Sequence, residues 1–184
     1  MKFKVTPQSI PDVLLIEPTV FADDRGYFKE SYNLLDFEEF LPGVKFVQDN
    51  ESKSSRGVLR GLHFQKPPHA QAKLVRVIQG SIWDVAVDIR PASPTFRRYV
   101  SVELNADNHQ QIFIPQGFAH AFLVVGESAI VQYKTDNFYS PESDAGIHAH
   151  DPDLNITWPL AKEEHLLSAK DGELPGLKDF FSTS

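Results

Sequence analysis

The side chains most suited to binding or catalysis lie in the sequence GLHFQKPPHAQAKLVRVIQG, which begins at residue 61. His63 lies there between apolar neighbours, Arg56 and Arg60 precede it, and Lys73 follows it. We expect the KPPHAQAK turn to fold Lys73 back beside the strand of His63. A group of cations around one histidine favours an anionic ligand; for His63 taken alone, a hydrogen-bonded histidine in a packed core is the alternative interpretation.

A metal site is a further alternative for His63. The chain resembles double-stranded β-helix (cupin) proteins in its spaced glycines and in the segment PQGFAH, residues 115–120. Cupins usually bind metal through His-x-His and a following Glu, but here Gln65 replaces the second histidine and Lys73 occupies the region of the Glu. Because a protonated lysine cannot ligate and repels a cation, His63 and His120 alone would bind metal only weakly. We therefore predict that the protein uses no metal.

The composition is that of one globular domain. The 184 residues, 41% of them hydrophobic, are enough for one sizeable core, and we predict a single domain over residues 1–184. The net charge of −7 argues against nucleic acid as a partner, and the absence of cysteine excludes disulfides and thiolate metal sites. The first apolar run, VLLI, is too short for a secretion signal or a membrane span, so we expect a soluble cytoplasmic protein.

Alternation of apolar and polar residues predicts a mainly β fold that positions these side chains. The pattern is clearest in SIWDVAVDIR (81–90) and RYVSVELN (98–105), and further strands are predicted in KLVRVIQ, QIFIP, AHAFLVV and AIVQYKT. Such short strands indicate an antiparallel sandwich or barrel. Two peripheral helices are also predicted, one capped by Asn33 and one over residues 162–170 that ends before Gly172.

Seven segments carry a resemblance to a known family: DDRGYFKE (23–30), QDNESKSSRGVLRGLHFQKPPHAQAKLV (48–75), DVAVDIR (84–90), IPQGFAHAF (114–122), YKTDNFYSPES (133–143), DPDLNITWP (151–159) and LSAKDGELPGL (167–177). They run through nearly the whole chain in order and closely resemble the dTDP-4-dehydrorhamnose 3,5-epimerase family. The resemblance implies a cupin jelly roll without metal or cofactor, usually a homodimer in which strands are exchanged between subunits.

The resemblance also implies a reaction. It is epimerisation at C3 and C5 of dTDP-4-dehydro-6-deoxy-D-glucose to dTDP-4-dehydro-L-rhamnose, a step of dTDP-L-rhamnose biosynthesis. Both C–H bonds are next to the C4 ketone, so the reaction needs a base, a group that stabilises charge at the ketone oxygen, and an acid on the opposite face. The resemblance implies His63 as the base with Asp171 as its orienting partner, Lys73 at the ketone oxygen, and Tyr133 as the acid.

For substrate binding the resemblance implies a larger set of residues. We expect Arg25 and Arg60 to bind the diphosphate because the planar fork of arginine matches phosphate, with Arg25 contributed across the dimer. Arg60 and His63 have opposite parity along one strand, so both reach one pocket only if the strand twists or bulges, and Gly61 is the predicted place. The predicted binding residues are Arg25, Phe28, Glu30, Gln48, Asn50, Arg60, His120 and Tyr139.

The chain departs from the family pattern at two places. Ala121 stands where glycine is common and is expected to tighten the pocket slightly beside His120. HAHDP replaces a common Trp-Asn before the DP, so that His148 and His150 form a His-x-His pair expected at the surface and able to capture a metal ion. Two other functions stay open: an epimerase acting at only C3 or C5 of a related dTDP-4-keto-sugar, and a cupin that binds sugar nucleotide without catalysis.

Overall fold

The computed structural model describes residues 2–182, and strands dominate them. The strands are β1 (Phe3–Pro7), β2 (Leu14–Pro18), β3 (Phe21–Asp23), β4 (Gly26–Phe28), β5 (Gln48–Ser55), β6 (Leu59–Gln65), β7 (Lys73–Asp88), β8 (Tyr99–Asn105), β9 (Gln111–Ile114), β10 (Phe118–Thr135) and β11 (Asp144–Gly146). The helices are α1 (Leu34–Glu38), α2 (Ala169–Gly172) and α3 (Leu177–Ser182), and a 3₁₀ turn covers Lys162–Glu164. Within residues 2–182, every helix is too short or too polar to cross a membrane.

Nine of the strands form one antiparallel sheet. Its main path runs β1-β2-β9-β7-β10-β6-β11, and the sheet branches because β8 also pairs with β7 and β5 also pairs with β10. The hairpin of β3 and β4 forms a separate two-stranded sheet. The predicted mainly β class is therefore confirmed, and branching at two long central strands is the arrangement of the predicted jelly roll.

The two central strands, β7 and β10, pair with each other along most of their length. The sequence predicted two separate strands in each of these regions, but each is one continuous strand with irregular register where the predicted break would fall. Gly80 lies at such a place with φ of +79°, and a Cβ there would collide with the carbonyl oxygen of Ser128. Glycine thus lets the strand bend without ending.

Both faces of β7 are buried, and this creates two cores. Ala86 packs into a core enclosed by the sheet, while Val85 and Val87 on the other face pack into a second core that residues 147–182 cover. Asp84, a polar position of the alternating pattern, is fully buried rather than exposed. The period of two is correct, but the polar side chains of this strand point into the protein and not to solvent.

The two predicted helices have different outcomes. Asn33 caps α1 as predicted, because its side-chain oxygen accepts a hydrogen bond of 3.0 Å from a first-turn backbone N–H. The continuous helix predicted over residues 162–170 is wrong. Leu166 is extended instead, donating its N–H to Gly57 O at 2.8 Å and accepting from Leu59 N at 3.0 Å. These bonds to the start of β6 replace helical ones, and they leave the 3₁₀ turn before Leu166 and α2 after it.

Candidate active site

Polar side chains from five strands converge on one cavity of about 250 Å³. Six predicted residues lie on its wall: Gln48, Asn50, His63, Lys73, Tyr133 and Tyr139. The strand register brings several of them together, because Tyr133 of β10 pairs with Asn50 on one side and with Val75 on the other. Lys73 lies two residues from Val75 and therefore projects from the same face of the sheet as Tyr133.

His63 is held by a carboxylate from far along the chain. Its Nε2 lies 2.6 Å from Oδ1 of Asp171, a nearly buried residue of α2. Ser168 caps α2 by accepting a hydrogen bond from the backbone N–H of Asp171, which fixes that carboxylate in place. A proton held on Nε2 leaves Nδ1 as the nitrogen with a free lone pair on the cavity side. The geometry is that of a histidine ready to accept a proton.

The charge state of His63 reflects three influences. Burial lowers the pKa of His63 below its ordinary value, although Asp171 raises it in part. The ammonium groups of Lys73 and Lys170 lower the pKa further because another positive charge nearby is unfavourable. His63 is consequently neutral near pH 7, as a general base must be.

Lys73 is a half-buried cation beside His63. Its Nζ lies 3.4 Å from the backbone oxygen of His63 and 5.8 Å from the ring centroid of Tyr133. Burial lowers the pKa of Lys73 to about 8, while the carboxylates of Asp84 and Asp144 act in the opposite direction. Lys73 thus carries its charge at neutral pH in surroundings that hydrate it poorly, where it attracts a developing negative charge strongly.

Tyr133 lies on the wall of the same cavity, next to Lys73. Burial raises the pKa of Tyr133 above 10, and Arg60 opposes that effect in part. Its phenol is therefore protonated throughout the neutral range and is available as a proton donor. Tyr139 is more exposed, and its hydroxyl donates a hydrogen bond of 3.3 Å to Asp144.

His120 lies behind the cavity rather than on its wall. It pairs directly with His63 across β10 and β6, yet it is only 6% exposed. Its Nε2 is 2.8 Å from Oδ2 of Asp84, and Oδ1 of Asp84 is buried without a hydrogen-bond partner among the described residues. The predicted position of His120 on the pocket wall is thus corrected to one layer deeper, where its ring is fixed by a buried carboxylate.

The predicted irregularity at Gly61 is present. His63 pairs with His120 and Arg60 pairs with Phe122, so β6 holds one more residue than β10 between these two pairs. Gly61 has φ of +123°, and a Cβ there would lie 2.5 Å from the carbonyl oxygen of His120. Arg60 nevertheless stays outside the cavity wall, where its Nε donates to Ser54 Oγ at 3.0 Å.

Three further predicted binding residues lie apart from this cavity. Arg25 and Phe28 are exposed on the β3–β4 hairpin, and Arg25 is paired with Asp23 at 2.5 Å. Glu30 follows the hairpin and contacts Lys2 at 2.9 Å. Within one chain these residues are not brought to His63.

Five residues on the cavity wall were not predicted: Phe64, Gln65, Gln71, Asp144 and Lys170. Lys170 donates to Asp144 at 2.5 Å, which ties the α2 segment to β11 across the site. The signal that could have revealed Lys170 is its position directly before Asp171. Asp144 carried no comparable signal, because its strand β11 has only three residues.

The position of a cupin metal ligand is occupied by an amide that is already bonded. Gln65 donates to the carbonyl oxygens of His69 and Phe138 at 2.6 and 3.1 Å, and its own oxygen accepts from Ser140 N at 2.7 Å. Gln65 therefore organises the loops around the cavity. Among residues 2–182, no three His, Asp or Glu side chains are placed together to hold a metal ion.

Ala121 does not tighten the cavity, contrary to expectation. It is fully buried in the core on the opposite side of β10 from His120, together with Leu59 and Val85. Successive residues of a strand point to opposite faces, so the extra methyl group of Ala121 lies in the second core and leaves the wall of the site unchanged.

Comparison with known proteins agrees with this geometry. The family model described as dTDP-4-dehydrorhamnose 3,5-epimerase matches residues 7–179. A dTDP-4-dehydrorhamnose 3,5-epimerase from Shigella flexneri is 54% identical over 168 residues, which cover 91% of this chain and 92% of that protein.

Two solved structures are similar over nearly their whole length. The enzyme of Legionella pneumophila in complex with dTDP-4-keto-L-rhamnose has a TM-score of 0.92 at 45% identity, covering 96% of this chain and 93% of that one. A 3′-monoepimerase from Streptomyces bikiniensis in complex with dTDP-quinovose has a TM-score of 0.90 at 32% identity, covering 96% and 89%. The chain belongs to the dTDP-4-dehydrorhamnose 3,5-epimerase family.

Proposed function

We propose that the protein epimerises dTDP-4-dehydro-6-deoxy-D-glucose at C3 and C5 to give dTDP-4-dehydro-L-rhamnose. The observation that carries the proposal is the convergence of His63, Lys73 and Tyr133 on one cavity, with Asp171 bound to His63 at 2.6 Å. A protein that only binds sugar nucleotide needs no neutral histidine and protonated tyrosine on the wall of one cavity. The choice of substrate rests on the family, and the choice of reaction rests on these side chains.

The first step is removal of a proton next to the C4 ketone. Nδ1 of His63 accepts the proton from C3 or C5, and the electron pair of the broken C–H bond moves onto the ketone oxygen to give an enolate. Asp171 stabilises the imidazolium that forms and keeps the ring in one orientation. General-base assistance of this kind contributes about 10²- to 10⁴-fold in rate.

Lys73 stabilises the enolate. Its ammonium group donates a hydrogen bond to the developing oxygen anion in a site that excludes most water. In a metal-dependent cupin a bound cation could serve this purpose, and in this chain a fixed ammonium group serves it. The charge of Lys73 thus has two effects, because it also disfavours protonation of His63.

Tyr133 returns a proton from the opposite face and so inverts the carbon. Its high pKa keeps the phenol protonated until a carbanion is present. The phenolate and the imidazolium then exchange protons with solvent before the second centre reacts. Repetition of the cycle at the other carbon completes the double epimerisation.

A second copy of the chain completes the substrate site in this proposal. The cavity of about 250 Å³ is smaller than the roughly 300–1,000 Å³ of typical ligand sites. The β3–β4 hairpin exposes Phe21, Tyr27 and Phe28, each by more than half, beside Arg25. In a homodimer with exchanged strands this hairpin would reach the partner's cavity, where Arg25 could bind the diphosphate and Phe28 could stack on the base. A cytoplasmic location remains part of the proposal.

The test is proton NMR of the protein with dTDP-4-keto-6-deoxyglucose in deuterated water that contains a chelator. Deuterium at both C3 and C5 supports the double epimerase without a metal. Deuterium at one carbon only would replace the proposal with a single-site epimerase, the activity named for the Streptomyces relative. Tight binding without exchange would indicate a non-catalytic protein or a different keto-sugar.

A further inference from the structure

A second group of histidines lies outside the active site. The His-x-His pair predicted at the surface is not formed as such, because Nδ1 of His148 accepts a hydrogen bond of 3.1 Å from the backbone N–H of His150. The ring of His150 turns instead towards His165, and its Nε2 lies 2.8 Å from Nδ1 of His165. Both rings are half-buried beside Trp158.

The two rings of His150 and His165 meet edge to edge. Their planes differ by only 15°, and their centroids are 5.0 Å apart, close to the N···N distance plus the two ring radii. Each lone-pair direction therefore points at the other nitrogen, and one proton is shared between them. Burial and the neighbouring histidine lower the pKa of His150 to about 4, and burial lowers that of His165, so the pair is neutral at pH 7.

We propose that His150 Nε2 and His165 Nδ1 bind one divalent transition-metal ion of the zinc, nickel or copper class, while the proton that they share moves to the other nitrogen of the ring that carries it, so that both imidazoles stay neutral. Neutral imidazole is a preferred ligand of these ions. Two nitrogens at Zn–N distances of 2.0–2.1 Å in a tetrahedral site are about 3.3 Å apart. The observed 2.8 Å therefore needs to open by about half an ångström, and each ring has to turn by about 35° so that its lone pair points at the ion.

The surroundings allow such an ion but keep its affinity low. A cavity of about 320 Å³ borders both rings and has room for water molecules to complete the coordination. Nε2 of His165 is buried without a hydrogen-bond partner among residues 2–182, so the ring can turn but lacks the outer contact that strengthens metal ligands. Lys162 repels a cation here, whereas Glu163 and Glu164 attract it towards His165.

The bound ion would join two segments that support the active site. His150 belongs to the stretch that follows β11, and His165 lies six residues before Asp171, in the segment that leads into α2. A metal at this junction adds a link that the unfolded chain lacks, so it raises the unfolding temperature by mass action. The ion takes no part in the proposed epimerisation, and the two proposals can fail independently.

The experiment is calorimetric titration of Zn²⁺ into tag-free, chelator-stripped protein, with Cu²⁺ electron paramagnetic resonance as the second measurement. We expect one ion per chain, at least about tenfold weaker binding in His150→Gln and in His165→Gln, and near-wild-type binding in the matched control His148→Gln. The Cu²⁺ spectrum of the wild type should show superhyperfine splitting from two imidazole nitrogens.

Three results would overturn this assignment. The first is absence of ion uptake by the wild type. The second is unchanged uptake in His165→Gln together with loss in His148→Gln, which would assign binding to the His148-x-His150 pair. The third is a Cu²⁺ spectrum with fewer than two coupled nitrogens, and this measurement does not depend on whether any variant folds.

Discussion

Two histidine–carboxylate pairs stand side by side in this protein and differ in what surrounds them. His63 and His120 are paired across neighbouring strands, and each is bound to an aspartate, at 2.6 and 2.8 Å respectively. The side chain of His63 is 33% exposed and that of His120 only 7%. The carboxylate of His63 arrives on a helix from 108 residues away, whereas that of His120 comes from the adjacent strand β7.

The difference separates the pair that we propose to be reactive from the pair that we propose to support it. A general base needs a fixed ring and one nitrogen that substrate can reach, and only His63 has both. The pair of His120 and Asp84 has the same polar atoms but no access, and it supplies a buried negative charge near Lys73. Lys73 connects the two pairs, because Asp84 favours its charged form and that charge in turn disfavours protonation of His63.

The strongest test of this comparison is His63→Gln. The glutamine amide can still donate to Asp171 but cannot act as a base, so turnover should fall by about 10²- to 10⁴-fold. Binding of dTDP and the urea midpoint should stay close to those of the wild type. Turnover within a few-fold of the wild type would show that the base has been misassigned.

The matching change in the supporting pair is His120→Ala, and its main effect is on stability. It leaves Asp84 buried with neither oxygen bonded, which should cost about 3–5 kcal/mol of unfolding free energy in urea denaturation. His120→Gln is the control, because its amide can restore one hydrogen bond and most of the loss. Equal urea midpoints for His120→Ala and the wild type would contradict the supporting role.

Lys73→Met tests the link between the pairs. The pKa of Lys73 is lowered from 10.5 to about 8, so the unfolded chain binds more protons than the folded protein between these pH values, and folded stability rises with pH there. At pH 7 the buried charge is unfavourable, and its removal should stabilise the fold by about 1–3 kcal/mol while turnover is lost. Urea unfolding at pH 7 checks this, and a destabilised variant would refute it.

The pH dependence of turnover gives the smallest effect. Activity should decline on the acid side below the ordinary histidine pKa of about 6.5, as His63 takes up a proton. It should decline on the alkaline side through about pH 8, as Lys73 loses its charge, by about tenfold per pH unit beyond that pKa. The raised pKa of Tyr133 lies too far above pH 8 for its ionisation to cause this decline. Lys73→Arg should move the limb upward, and an unmoved limb would assign it to another group.

The sequence was sufficient for the fold class and for the residues on single strands. Period-two alternation gave the mainly β class, and the parity conflict between Arg60 and His63 placed the irregularity at Gly61 correctly. Gln48 and Asn50 are two residues apart on β5, so their side chains share one face of the strand, and both line the cavity. Such features depend on neighbours in sequence and can be derived from them.

Features that depend on tertiary contacts were out of reach. The sequence around Leu166 has a helical pattern, but its backbone hydrogen bonds are made with Gly57 and Leu59 instead of within a helix. No pattern in the neighbouring residues predicts these long-range bonds. The depth of His120 depends on Asp84, which lies on the same face of β7 as Ala86 and is therefore inside the core enclosed by the sheet. The β3–β4 hairpin lies apart from the cavity within one chain, and its expected place beside a partner's cavity belongs to the proposed homodimer.

The late position of Asp171 has a consequence for how the enzyme matures. During synthesis His63 emerges 108 residues before its partner, an interval of about 5–20 s at ordinary elongation rates. His63 stays without its carboxylate until α2 has docked and Leu166 has bonded to Gly57 and Leu59. Because residues 147–182 also cover the second core, the orientation of the proposed base and the completion of that core depend on the same late segment, and turnover would report that this segment is in place.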